Sequence, residues 1–202
     1  MTETQVSPSR FDYRSARDVS ALTHLFEGYL LEGFDRLGHV PSGVPFASWL
    51  NTALLYVDGE PAGFVSADRA RYAIELIYVA PAYRRRGIAR QLLDDLRATC
   101  PGRMHIKAPL SPACQALAER LNIPISIATP EEQTEGEQAV ATLHDAMRQN
   151  CRHPRKGSPQ RPCSRCYRVV LRRMATVMVT DTCTALQNAD RLLGHSPAGR
   201  AS

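Results

Sequence analysis

The chain has no long apolar run, and no uninterrupted stretch approaches the ~18 residues needed to span a bilayer. Its first residues, Met-Thr-Glu-Thr-Gln-Val-Ser-Pro-Ser, contain no signal-peptide core, so a cytoplasmic protein is expected. Residues 151–173 lack acids altogether and hold eight basic residues. The preceding residues 131–150 lean the other way, with five acids and one arginine, while residues 1–130 are nearly balanced at 14 basic and 13 acidic. The formal charge of +5 is thus mostly local, and a local excess of this kind speaks to partners more than to fold. There are only six cysteines (100, 114, 151, 163, 166 and 183), and in a cytosolic chain they read as free thiols or metal ligands ahead of disulfides. With 202 residues, 44% of them hydrophobic, the chain can bury a core and form one large domain or one domain plus a small module.

The most informative stretch is Glu75–Leu96. Leu76 to Val79 is a short apolar run stopped by Pro81, which reads as a buried strand. Leu92, Leu93 and Leu96 then recur at helical spacing. Between them lies Arg84-Arg85-Arg86-Gly87-Ile88-Ala89. A glycine there accepts positive φ, a helix start offers unpaired N–H groups, and arginines attract anions, so the turn reads as a phosphate cradle.

The order strand, Arg-x-x-Gly-x-Ala, helix resembles the acetyl-CoA site of the GNAT superfamily of acyl-CoA N-acyltransferases, with Arg84, Gly87 and Ala89 at the defined positions. The resemblance covers roughly residues 10–129 and implies an α/β fold with a mixed, mainly antiparallel sheet and flanking helices. It implies acetyl-CoA as cosubstrate, held by Val79, Arg84, Arg85, Arg86, Gly87, Ile88, Ala89 and Ser111, with the backbone N–H near Val79 as oxyanion donor. Glu75, the only acid on the central strand, is the implied base, and burial of an acid there raises its pKa toward base duty. Pairing of Glu75 with Arg69, Arg71 or Arg103 is the competing reading. The family's later-helix tyrosine falls on Ala118, which leaves Tyr78, Tyr83 or water to protonate the leaving thiolate; Tyr78 is the residue favoured here. Cys114 reads as a packed thiol.

Along the chain, residues 1–10 read as a disordered lead and Phe11–Arg14 as a first strand. Ser15 and Asp18 cap a helix with Leu22, Leu25, Phe26 and Leu30 on one face; residues 33–44 read as a loop, followed by a short helix near 46–50. Ala53–Val57 and Ala62–Ser66 form a hairpin around Asp58-Gly59, its loop lengthened by Pro61. Met104–Ala108 is the next strand, Ser111-Pro112 opens a helix, and Ile123–Ala128 is one more strand. The acyltransferase domain is assigned to 11–129 and an acidic linker, helical near its end, to 130–150. A zinc-knuckle and helical module is assigned to 151–202, its helix running from Tyr167 to Leu193.

In that module Cys151-x-His153-x9-Cys163-x2-Cys166 offers three thiolates and one imidazole, a donor set suited to tetrahedral structural Zn2+. A redox pair is the competing reading, but the strand-helix setting of a thioredoxin-like Cys-x-x-Cys is missing. The surrounding arginines fit phosphate-backbone binding, or equally a solvated basic face. The sequence therefore points to an N-acyltransferase acting on an amine of unknown identity. The alternative is a GNAT-fold binding protein whose basic module docks on nucleic acid or protein.

Overall fold

The structure is a computed structural model of the chain and describes residues 5–38, 51–68, 71–100, 102–108, 110–153 and 163–193. The expected short helix near 46–50 lies outside the described residues. Six strands form one sheet in sequence order. They are β1 (Val6–Arg10), β2 (Thr52–Val57), β3 (Glu60–Asp68), β4 (Ala73–Val79), β5 (His105–Lys107) and β6 (Ile125–Ser126). The first four run antiparallel; β5 and β6 are parallel to their neighbours. The helices are α1 (Ala16–Leu37), α2 (Ile88–Thr99), α3 (Pro112–Arg120), α4 (Pro130–Asn150) and α5 (Ser164–Leu192). This is the expected mixed sheet with flanking helices, an α/β fold.

Several expectations are corrected. The first strand is Val6–Arg10, not Phe11–Arg14, and the region read as a disordered lead pairs in register with β2 from Val6↔Val57 to Arg10↔Ala53. A Ser/Pro-rich strand is tolerated there because it is the sheet edge, where Pro8 need not complete a second ladder. Helix α1 continues through the buried Gly33 to Leu37 and closes on Gly38 in the left-handed region. The β2–β3 loop is two residues long, Asp58 and Gly59, both at positive φ. Pro61 is absorbed by a register shift after Leu55 instead of lengthening the loop. Helix α4 begins at Pro130, so the acidic segment read as a linker is its first turns. Thr129 caps it, Pro130 stands at the first position, and Glu132 completes a capping box. Acids at a helix N-terminus complement the dipole.

The sheet separates two cores. One joins Leu22, Leu25, Phe26 and Leu30 of α1 with Leu54, Phe64 and Leu76, and also with Tyr167, Leu171, Ala175 and Val179 of α5. The C-terminal helix thus shares its buried face with α1 instead of standing apart. The two helices run antiparallel, with ion pairs from Asp35 to Arg168, Glu27 to Arg172 (2.9 Å) and Arg14 to Asp190 (2.5 Å). The threonines of α5 fit a helix because Thr176, Thr180, Thr182 and Thr184 each donate to a carbonyl one turn back. The other core joins Leu92, Leu93 and Leu96 of α2 with Val65, Ile74, Ile106 and Ala118.

Candidate functional site

The ladder between β4 and β5 has two registered pairs, Ala73↔His105 and Ile74↔Ile106, and stops before Ile77. Beyond that point the strands part, and a groove of about 760 Å³ opens along Ile77, Tyr78 and Val79. Its far wall is α3, with Ser111, Cys114 and Leu117; Arg85, Gly87 and Arg90 close the end at α2. Arg85 (φ 61°) and Gly87 (φ 81°) both take the left-handed conformation, which turns successive N–H groups to one side. Gly87 is the N-cap of α2 and has no side chain to cap the first N–H groups of the helix. A Cβ on Gly87 would meet no atom within 4 Å, and its positive φ is the conformation that side chains resist. An apolar slot ending in a backbone cradle and arginines fits a pantetheine arm and its pyrophosphate.

The expected cofactor residues divide into two groups. Val79, Arg84, Arg85, Gly87, Ile88, Ala89 and Ser111 line the groove. Ile88 is 3% exposed and anchored in the α2 core, which leaves its backbone to the groove. The Ser111 hydroxyl accepts from Cys114 N–H as the cap of α3. Arg86 is not among the lining residues, and its guanidinium lies 5.8 Å over the Tyr83 ring. Arg90 and Arg120 line the groove and were not expected. Arg90 was legible as the third residue of the helix that follows the turn; Arg120, at the end of α3, gave no local signal. Ala118, where the sequence resemblance implies a tyrosine, is fully buried.

Tyr78 faces α1. Its hydroxyl approaches so closely that a Cβ on Gly28 would lie 2.9 Å from it. Its ring meets Tyr29 edge-on at 6.0 Å. Burial raises its pKa, so the phenol stays protonated. Arg84 reaches across: its Nε donates to Val79 O at 2.9 Å, its Nη2 meets Glu32 Oε2 at 2.5 Å, and its guanidinium lies 5.7 Å from the Tyr78 ring.

Glu75 sits where the β3–β4 register slips. Ser66 pairs with Leu76 and Ala67 with Ile74, so Glu75 is the extra residue of a bulge. It is half-buried, and desolvation raises its pKa, with Lys107 opposing. Around it run the ion pairs Arg71–Asp68 (3.8 Å), Arg71–Glu132 (3.6 Å) and Lys107–Glu132 (3.0 Å), none of which uses Glu75. Arg69 lies outside the described residues.

At the α4–α5 junction the ligand atoms of Cys151, His153, Cys163 and Cys166 all lie within 4.8 Å of one another. A tetrahedral zinc with thiolate bonds of about 2.3 Å sets its ligand atoms about 3.8 Å apart, so this cluster is the right size. Cys163 is the N-cap of α5, and the N–H of Cys166 stabilises its thiolate and lowers its pKa. The Cys166 thiol, hydrogen-bonded to Cys151, is pushed up to about 11. Of the eight basic residues, Arg155, Lys156 and Arg161 lie outside the described residues, and Arg168 and Arg172 are committed to α1. Arg152, Arg165 and Arg173 remain exposed. No described helix is long and apolar enough to cross a membrane.

No curated protein matches the sequence. Among solved structures, an integron cassette protein from the mobile metagenome of V. cholerae is similar at 13% identity, covering 76% of this chain and 94% of its own, with a TM-score of 0.33. The acetyltransferase (GNAT) family profile matches residues 21–122, half of the chain, a span that includes the open strand, the arginine turn and α2. The chain belongs to the GNAT acetyltransferase family.

Proposed function

We propose that the chain transfers an acetyl or other short acyl group from acyl-CoA to an amine. The observation that carries this is the groove opened where β4 and β5 part, ended by the left-handed Arg85–Gly87 turn and the N-terminus of α2. Acyl-CoA supplies the activated carbonyl as a thioester. The turn and Arg90 hold its phosphates, and the apolar wall of Ile77, Leu117 and Leu121 takes its arm. The Val79 N–H, on the strand edge that β5 leaves open, is aimed where charge develops on the carbonyl oxygen.

Glu75 takes the proton of the attacking amine. It lies four residues before Val79, about 13 Å along an extended strand, so the proton passes through water. Burial keeps this carboxylate basic for its type, and among the described residues the ion pairs of its patch join Arg71, Asp68, Lys107 and Glu132 instead. Tyr78, protonated and adjacent, returns a proton to the leaving thiolate.

The cysteine cluster binds one structural zinc, which clips the end of α4 to the start of α5. Exposed Arg152, Arg165 and Arg173 beside it form a basic surface suited to an acidic partner, nucleic acid included. The buried Ala118 favours the alternative of a CoA-binding protein without turnover, because it removes the family's usual acid.

Calorimetry with acetyl-CoA tests the cofactor reading. Gly87→Asp, which adds a negative charge and a strained side chain to the cradle, is expected to abolish binding; unchanged affinity sinks the reading. Thiol release against a panel of amines then separates the two roles: turnover supports the transferase, and binding without turnover supports the alternative. Elemental analysis is expected to find one zinc per chain, and none in a Cys163→Ser/Cys166→Ser variant.

A further inference from the structure

Arg84 belongs by its motif position to the cofactor turn, and it does line the groove. Its Nε holds the carbonyl of Val79, a groove residue, but its Nη2 turns to Glu32 of α1. The other two acids on this stretch of α1, Glu27 and Asp35, are each paired with an arginine of α5. Glu32 alone of the three is paired with a residue of the cofactor turn, and it lies beside Tyr78, the proposed proton donor. The pair is well exposed, at 41% and 46% for the two side chains, so water competes for it and it exchanges readily. A pyrophosphate offers a guanidinium more charge and more acceptor oxygens than one carboxylate does.

We propose that Glu32 is the anionic subsite for a cationic acceptor, and that Arg84 stands in for the acceptor's ammonium there until acyl-CoA draws the guanidinium into the groove. The proposal rests on the acyl-CoA reading and narrows its acceptor to amines that carry positive charge. The exchange uncovers the carboxylate once the cofactor is bound. The ammonium then docks on Glu32 at the α1 side of β4, against Tyr78 and the open end of the strand. The close approach of Tyr78 to Gly28 leaves little room for a side chain on α1 at this point, which keeps the carboxylate one turn later as the polar contact.

Calorimetry on the 202-residue chain tests this with two probes, acetyl-CoA and spermidine. Glu32→Gln frees Arg84 from its competing partner and is expected to bind acetyl-CoA about two- to fivefold tighter than the unsubstituted chain. Glu27→Gln, which removes a neighbouring acid not linked to the turn, leaves that affinity unchanged. Spermidine is expected to bind the CoA-saturated chain about tenfold tighter than either the CoA-free chain or CoA-saturated Glu32→Gln. Acetyl-CoA affinity that is unchanged or weaker in Glu32→Gln overturns the exchange. Spermidine binding that ignores CoA or Glu32 overturns the acceptor subsite. A chain that binds no acetyl-CoA at all sinks the underlying cofactor reading instead, with Glu32→Gln and the unsubstituted chain behaving alike.

Discussion

The two faces of the sheet are built from different materials. On the α1–α5 face the buried residues include Phe11, Phe26, Tyr56, Phe64 and Tyr167. On the α2–α3 face the described buried residues are leucine, isoleucine, valine, alanine, methionine and cysteine, with no aromatic among them. Aromatic rings bring polar tips, and on the first face those tips are tied down. The Tyr56 hydroxyl donates to the buried Asp18 at 2.7 Å, Tyr13 to Asp190 at 2.6 Å, and Tyr167 meets His144 at 3.1 Å while its ring stacks on Phe34 at 4.3 Å. Such contacts fix orientation as well as burial. The aliphatic face is less directional and borders the slot. The proposed chemistry draws on Tyr78 from the first face, while Ile77 and Val79 of the proposed cofactor groove turn to the second.

The largest effect expected is on that chemistry. Glu75→Gln is expected to lower kcat about 10²–10⁴-fold while acetyl-CoA affinity holds, measured by thiol release and calorimetry. A loss under threefold at every pH would move the base elsewhere. Next comes the packing of the two faces. Leu171 of α5 and Leu93 of α2 are both fully buried. Alanine at either site is expected to cost about 2–5 kcal/mol. Because α5 shares its core with α1, thermal unfolding of both variants should show one transition shifted as a whole. A separate transition moved only by Leu171→Ala would divide the faces into independent units.

A smaller effect follows from the pKa of Glu75, which is raised in the folded chain. The folded state therefore holds the proton more tightly than the unfolded state, and stability is lost as pH rises through the folded value. Glu75→Gln removes that loss, so the variant should gain on the unsubstituted chain from acid toward neutral pH. The two should coincide below the ordinary glutamate range; a gap that widens toward acid would reverse the assignment. The smallest effect is at the seam between α1 and α5. Arg172→Ala breaks an exposed pair with Glu27 and should cost about 0–1 kcal/mol in a denaturant titration, falling toward nothing at high salt.

What could be read from residues alone follows the range of the forces involved. The turn 84–89 and helix α2 were legible because a glycine at positive φ, a capless helix start and a leucine stripe are all local. The cysteine spacing was legible for the same reason. The start of α4 was local too, yet the acidic composition of 131–137 masked Thr129 and Glu132 as a capping box. The bulge at Glu75 was hidden because it exists only in the register with β3, and Arg84's turn toward Glu32 depends on α1, 52 positions away. The acids of α1 and the arginines of α5 were each visible as charge. Their antiparallel pairing, which sets Arg168 and Arg172 against acids of α1, was not.

The family match ends at residue 122, but the chain's own cohesion does not. Strand β1 lies before the match and α5 lies after it, and both cover surface the matched segment cannot cover itself. Cutting the chain to the matched boundaries would remove α5 from the core it shares with α1 and leave β2 as a bare edge. A sticky, edge-pairing fragment is the expected product of such a cut. Expression work should keep everything from β1 through the last turn of α5.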